Sequence, residues 1–330
     1  MPKKIMNRPE DFVHEATAGF LAAHGDRYTQ VEDVSGLRVI DVKEKTAVVV
    51  GGGSGHEPIF GYFIGENLAD AAAAGNVFTS PDPGTILKVA ASVERGKGVL
   101  FVYGNYAGDN MNFDIAAEML DEMGIETKTV RVCDDVASAP KERYTDRRGI
   151  AGNVFVIKIA GAATASGLSL EEAYRVTAKA RDHVYSMGIA LSSSAIPGEK
   201  HPIFDLADDE MEYGVGIHGE AGIRRTKLMP ADQIVENLTD RILEDSGIQS
   251  GDTVCSLVNG LGATPLTELY IMNRRLSQLL REKGIHVHRM EVGTLITSME
   301  MAGASITLMK LDDELQKYYD MPCNSPYYKK

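Results

Sequence analysis

The sequence predicts an α/β protein made of two α/β domains, each a mixed or parallel sheet flanked by helices. Three observations carry this. Apolar, β-rich runs at residues 46–50 and 99–103 each end in a glycine-rich loop. Amphipathic helical patterns separate such runs, and strands alternating with helices build parallel or mixed sheets covered by helices. At 330 residues, 44% of them hydrophobic and 25% charged, the chain has core enough for two ordinary domains.

The run Thr46, Ala47, Val48, Val49, Val50 reads as a strand that breaks into the loop GGGSGHEP at residues 51–58. Glycine reaches positive φ and lets a ligand approach main-chain N–H groups with no Cβ in the way. His56 and Glu57 stand where a P-loop presents Lys and Ser or Thr, and Pro58 stands where the dinucleotide fingerprint needs its last glycine. Neither nucleotide motif is therefore matched. A tight turn with an incidental histidine is the plainer alternative, but the density of Gly, Ser and His favours a binding site.

In NVFTSPDPG (76–84), Ser80 is placed to cap a helix with Pro81 at its first position. A helix start also suits oxygen-rich ligands. After the strand at 99–103, the loop YGNYAGDN holds Asp109, and a helix runs from 112 to the glycine stop at 124. A carboxylate at a strand's C-terminal end accepts a proton from a bound hydroxyl, or it merely caps the helix. Residues 129–133 form the next strand, and 153–167 begin β-rich and turn into an Ala-rich helix. Ser169 with Glu172 makes a capping box for a helix ending near Gly188. That end marks a domain boundary, giving domains 1–187 and 188–330.

The second half repeats the alternation: a strand and polar loop from 189, YGVGIHGEAG at 213–222, a strand from 252 before a helix near Thr264 and Pro265, then IHVHRMEV and ASITLMKL. If 213–222 is a strand, Gly214, Gly216 and His218 share one face and leave space beside the imidazole. A core histidine explains His218 but not its glycines, so a functional role is favoured; neutral imidazole serves as base, nucleophile or ligand. NGLGATPLTELY (259–270) reads as a structural turn into a helix, and the tail DMPCNSPYYKK as an extended, loosely docked segment.

A formal net charge of −13 argues against nucleic acid or anionic membrane as partner. Arg224, Arg225 and Lys227 fit a solvated loop. No run reaches transmembrane length and the N-terminal segment has no signal-peptide core, so a cytoplasmic protein is expected. Cys133, Cys255 and Cys323 are dispersed, odd in number and without metal spacing, as reduced structural thiols are. His286 and His288 fit one face of a half-exposed strand, and no metal is expected.

GGGSGHEP, VFTSP, NYAGDNMNF, RRGIAGNVFVIKIAGAA, GIHGEAG and LVNGLGATPLTELY together resemble the dihydroxyacetone kinase family, specifically its substrate-binding subunit. The motifs occur in the same order and span nearly the whole chain. The resemblance implies two α/β domains, a homodimer, and a histidine that adds covalently to the substrate's ketone carbon as a hemiaminal, which falls on His218. It places the catalytic aspartate on Asp109, the assisting histidine on His56, and substrate contacts on Gly53 and Ser80. Such a bond selects carbonyl sugars over glycerol, which has no electrophilic carbon. It also implies that this chain binds no cofactor. ADP or ATP with Mg²⁺ would sit on a partner nucleotide subunit, recharged by a phosphotransferase-system protein or exchanged for ATP.

Two departures stand out. Gly104 replaces a family lysine that reaches toward substrate, and Ile59, Phe60, Gly61 and Tyr62 replace the usual HEPAHAG continuation. They suggest a pocket reshaped for another ketose, such as four-carbon erythrulose or a branched one. The competing class is a ketone-sensing transcriptional co-activator. A sugar-binding protein without phosphoryl transfer leaves Asp109 unexplained.

Overall fold

In the first sheet, strands β1 (Tyr28–Gln30), β2 (Gly36–Val39), β3 (Ala47–Ser54), β4 (Ala71–Val77), β5 (Val99–Gly104) and β6 (Thr127–Val132) lie in the order β1-β2-β4-β3-β5-β6. The pairs β3/β4, β3/β5 and β5/β6 are parallel. The chain is seen here as a computed structural model that describes residues 3–330. Helix α1 (Phe12–His24) precedes the sheet, and α2 (Pro83–Val93) and α3 (Ala107–Glu122) cross between its strands. Helices α4 (Asn153–Ala165) and α5 (Leu170–Asp182) then lead to the second sheet.

That sheet has the order β11-β10-β12-β7-β8-β9. Its strands are β7 (Val184–Ala190), β8 (Glu210–Tyr213), β9 (Arg224–Lys227), β10 (Thr253–Gly260), β11 (His286–Gly293) and β12 (Gly303–Leu311). Only β10/β11 pair in parallel, so the sheet is mixed. Helices α6 (Ala231–Ser246), α7 (Leu266–Glu282) and α8 (Asp313–Asp320) complete the chain. Two α/β sheet layers flanked by helices are the architecture the alternation predicts. No helix among the described residues is long and apolar enough to cross a membrane.

Local readings shift in instructive places. Gly51, Gly52 and Gly53 continue β3 rather than open a loop. Their missing side chains serve close packing: an added Cβ would lie 2.7 Å from the Ala73 carbonyl, 2.9 Å from the Phe60 ring and 2.7 Å from the Thr79 nitrogen, respectively. Residues 153–165 are helical from the start, because α4 is buried on every side and its Val, Ile and Phe side chains are packed all round. Helix α5 keeps the predicted Ser169 cap but stops at Asp182; the following residues pair with β12. The cap of α2 is Asp82 with Pro83 behind it, not Ser80 with Pro81. Strand β8 ends at Tyr213, and Gly214 and Gly219 adopt φ of +74° and +81°, so 214–222 is a turn. The tail is firmly docked: Cys323, Ser325 and Tyr328 are buried, and the Tyr328 hydroxyl donates to Glu291 at 3.0 Å.

One buried ion pair ties the two sheets together. Arg147, ahead of α4, donates from both terminal nitrogens to Asp245 on α6 at 2.8 and 2.6 Å, with both side chains almost fully enclosed. Arg147→Ala leaves a buried carboxylate without its counter-charge, so a loss of roughly 3–5 kcal/mol is expected. Urea unfolding measures it, and a loss below about 1 kcal/mol would mean the pair is not the fastener its burial implies.

Candidate active site

The site forms where the C-terminal ends of β3 and β5 meet two loops of the second sheet, the edge at which open α/β sheets hold ligands. His56 follows β3. The connection between β11 and β12 clamps its loop through backbone bonds, from Thr297 N–H to the His56 carbonyl (3.2 Å) and from Met299 N–H to that of Gly55 (2.8 Å). His218 comes from the turn after β8. The two imidazoles, 162 residues apart in sequence, meet Nε2 to Nε2 at 3.0 Å. Phe78 stacks on His56 with ring centroids 5.0 Å apart, and Tyr106 meets His218 edge-on at 4.6 Å.

Each histidine is oriented through its other nitrogen. His56 Nδ1 donates to the Thr297 carbonyl at 2.7 Å. Burial drives His56 down to about 3, and the neighbouring His218 charge adds to this, against the opposing effect of the Thr297 bond. Glu220 holds His218 twice: one oxygen accepts from its backbone N–H and the other from ring Nδ1, both at 3.0 Å. Burial raises Glu220, but the hydrogen bond and charge of His218, helped by Arg148, hold it at about 2. Arg148 in turn donates to Asp135 Oδ2 from Nε (3.0 Å) and Nη2 (2.8 Å) and to the Gly214 carbonyl (2.8 Å).

Asp109 lies in the first turn of α3 rather than in a free loop. The helix starts five residues earlier than the 112 read from sequence, and Asp109 stands one turn before Phe113 on its buried face. Asp109 is 8% exposed, and Oδ1 has no hydrogen-bond partner. Burial pushes its carboxyl up to about 6, against the downward pull of the Ser80 hydroxyl and of His218. A buried carboxylate with one idle oxygen beside a histidine pair is equipped to take a proton from a bound hydroxyl.

His56, His218, Asp109 and Ser80 thus converge, with Gly53 on the face of β3 that packs against Phe78 and Thr79. Gly104, at the end of β5, is closely enclosed: an added Cβ would sit 3.2 Å from the Gly149 carbonyl, 3.3 Å from the Tyr106 ring and 3.4 Å from the Asn153 amide. The 59–62 segment does not join them. The Phe60 ring covers Gly52, on the opposite face of β3 from Gly53, and Tyr62 stacks on Phe20 of α1 at 4.3 Å. Sequence reasoning also passed over Phe78, Tyr106, Glu220, Arg148 and Thr297. Phe78, Tyr106, Arg148 and Glu220 all lie inside the sequence motifs; Thr297 carries no signal, being one threonine in a loop. A cleft of about 640 Å³ beside Lys45, Gly98 and Glu126 opens at the N-terminal ends of the parallel strands and holds none of these groups.

Residues 18–327 match the Dak1 domain. The chain is 45% identical over 332 residues to the "PTS-dependent dihydroxyacetone kinase 2, dihydroxyacetone-binding subunit DhaK" of Listeria innocua, covering 99% of both chains. It is 40% identical over 330 residues to the "L-erythrulose kinase" of Pectobacterium atrosepticum, spanning 99% of this chain but 56% of that protein. Among solved structures, the "Dihydroxyacetone kinase operon co-activator Dha-DhaQ" matches with a TM-score of 0.88 and 30% identity, over 94% of this chain and 96% of that one. With the motifs, the two sheets and end-to-end similarity in agreement, the chain belongs to the dihydroxyacetone kinase family of Dak1-domain proteins and is built like its substrate-binding subunit.

Proposed function

We propose that this chain is the ketose-binding half of a kinase: it holds a short ketose as a hemiaminal on His218 while a partner subunit delivers the phosphoryl group to the terminal hydroxyl. The observation that supports this most directly is the His56–His218 contact at 3.0 Å beside the idle Oδ1 of Asp109. The division of labour follows the two proposed domains, with His56 and Asp109 from 1–187 and His218 from 188–330. Asp109 accepts the hydroxyl proton as that oxygen attacks phosphorus, and His56, with Gly53 and Ser80, positions the substrate.

The nucleotide, ADP or ATP with Mg²⁺, belongs to the partner in this reading, recharged through a phosphotransferase-system protein as the name of the Listeria relative suggests. Among the described residues no cluster of three or more His, Cys, Asp or Glu is placed to hold a metal. The protein would act as a homodimer in the cytoplasm, a setting that suits three buried free cysteines.

A four-carbon ketose is the proposed substrate, a reading supported by Gly104 and by the similarity to an erythrulose kinase. Only Gly104 of the two sequence departures faces the site, so the specificity argument now rests on it. Gly104→Lys restores a cationic donor in a tight position and is expected to raise the kcat/KM ratio of dihydroxyacetone to erythrulose about 10- to 100-fold, the worth of one charged hydrogen bond. An unchanged ratio would remove Gly104 from the argument. The co-activator reading draws on the similarity to Dha-DhaQ. Intact-mass measurement with dihydroxyacetone and erythrulose, followed by turnover with a nucleotide subunit, separates the two: a co-activator forms the adduct and transfers nothing.

A further inference from the structure

The hydrogen bonds around the two histidines fix how many protons they carry. At one end the Thr297 carbonyl can only accept, so His56 Nδ1 must bear a proton. At the other end the Glu220 carboxylate can only accept, so His218 Nδ1 must bear one. Between them two Nε2 atoms at 3.0 Å need a third proton to be partners rather than opposed lone pairs. Two neutral imidazoles hold two protons. The pair therefore carries one more, and one unit of positive charge.

We infer that Glu220, backed by Arg148 and Asp135, is a positioning residue that keeps this extra proton on His218, so that the unliganded site is already charged as its ketone adduct will be. The buried ring of His56, 1% exposed and without a carboxylate partner, is the poorer holder of the charge. The clamp is built into the backbone. Glu220 binds both the main chain and the ring of His218, and the turn can close so tightly only because residue 216 is glycine: an added Cβ would sit 2.0 Å from Glu220 Oε2 and 2.6 Å from Arg148 Nη1. The charged and titratable groups around the pair are Glu220, Arg148, Asp135, Asp134, Asp109 and the Tyr106 hydroxyl.

The inference rests on the ketose-binding reading and adds a balanced first step. Nε2 of His218 first passes its proton to Nε2 of His56, 3.0 Å away, and so frees the lone pair that bonds to the carbonyl carbon, while His56 delivers that proton to the carbonyl oxygen. The N–H bond and the C=O π bond break; one N–C and one O–H bond form. The product ring, alkylated at Nε2 and protonated at Nδ1, keeps its single positive charge facing Glu220, and no external acid or base is required. It also means that Nε2 of His218 is covered by His56 until substrate displaces that contact.

The test uses the full chain labelled with ¹⁵N-histidine, wild type and Glu220→Gln, with His56→Ala and His218→Ala to assign the rings. Gln keeps the volume but loses the charge and can accept at only one of the two positions. In the wild type without ligand at pH 7, three ring N–H groups are expected for the pair, with both nitrogens of His218 in the imidazolium range. Glu220→Gln should show two, and its dihydroxyacetone or erythrulose adduct should fall at least tenfold by native mass spectrometry, with Glu220→Asp restoring part of both. Two ring protons in the wild type, or an unchanged ring pattern in Glu220→Gln at equal thermal stability, overturns the inference. No adduct with any ketose, despite three ring protons, overturns the ketose reading while upholding the proton inventory.

Discussion

Asp109→Asn is expected to cut phosphoryl transfer by about 10²- to 10⁴-fold, the usual weight of a general base, while making the folded protein more stable. The two effects share one cause. Burial raises the Asp109 carboxyl from an ordinary 3.8 to about 6, so the folded state resists the ionised form that catalysis needs. Between those values the folded protein binds more protons than the unfolded chain, and stability falls as pH rises through that window. Above it the ionised carboxylate costs roughly 3 kcal/mol. Asparagine removes that cost with nearly the same shape and keeps an oxygen for Ser80.

Urea unfolding at pH 7 should therefore show a gain of up to roughly 3 kcal/mol, shrinking toward zero near pH 3. The wild-type kcat/KM should rise with pH through an acid limb near 6, the region to which burial lifts this group. That limb should disappear in the variant, whose ketose adduct remains. A gain of equal size at both pH values would show that charge burial is not its source. Sites that hold an unfavourable group for chemistry commonly trade stability in this way.

His218→Ala is expected to abolish the ketose adduct altogether and to lower kcat/KM by at least roughly 10³-fold, because covalent anchoring supplies effective concentrations no non-covalent contact matches. Discrimination should change with it. The wild type should reject glycerol, which has no carbonyl to add to, whereas the variant should treat ketose and polyol as similarly poor substrates. Folding should survive, since His218 is partly exposed in a surface turn held by Gly214, Gly219 and Arg148. Intact-mass spectra with dihydroxyacetone, erythrulose and glycerol give the readout. An adduct persisting in the variant would move the nucleophile to another residue.

Much of this site was legible in the chain because its chemistry is concentrated in short motifs. His56, Asp109 and His218 each follow the end of a strand, β3, β5 and β8, the edge at which open α/β sheets hold ligands. The secondary-structure errors have the opposite origin. Residues 153–165 carry β-branched side chains that favour strands in isolation, yet complete burial between α5, α8 and the first sheet makes them a helix. In the same way, the glycines of 51–53 suggest a loop by local preference and extend β3 because neighbouring chains press against them.

What the sequence determined by itself was the alternation of elements, the candidate site residues and the family they belong to, since periodicity and motif order are local and need no coordinates. What only the tertiary structure decided was which of those groups meet. The contact between His56 and His218, the Thr297 carbonyl that orients one and the Glu220 carboxylate that orients the other bring together three segments far apart in the chain. Of the two departures only Gly104 borders the site, through Tyr106, because Phe60 and Tyr62 pack away from it, onto Gly52 and onto Phe20 of α1. The charge on the histidine pair belongs to the same class. A proton's place depends on which acceptors surround it within about 3 Å, and that is a property of the folded neighbourhood rather than of any one residue.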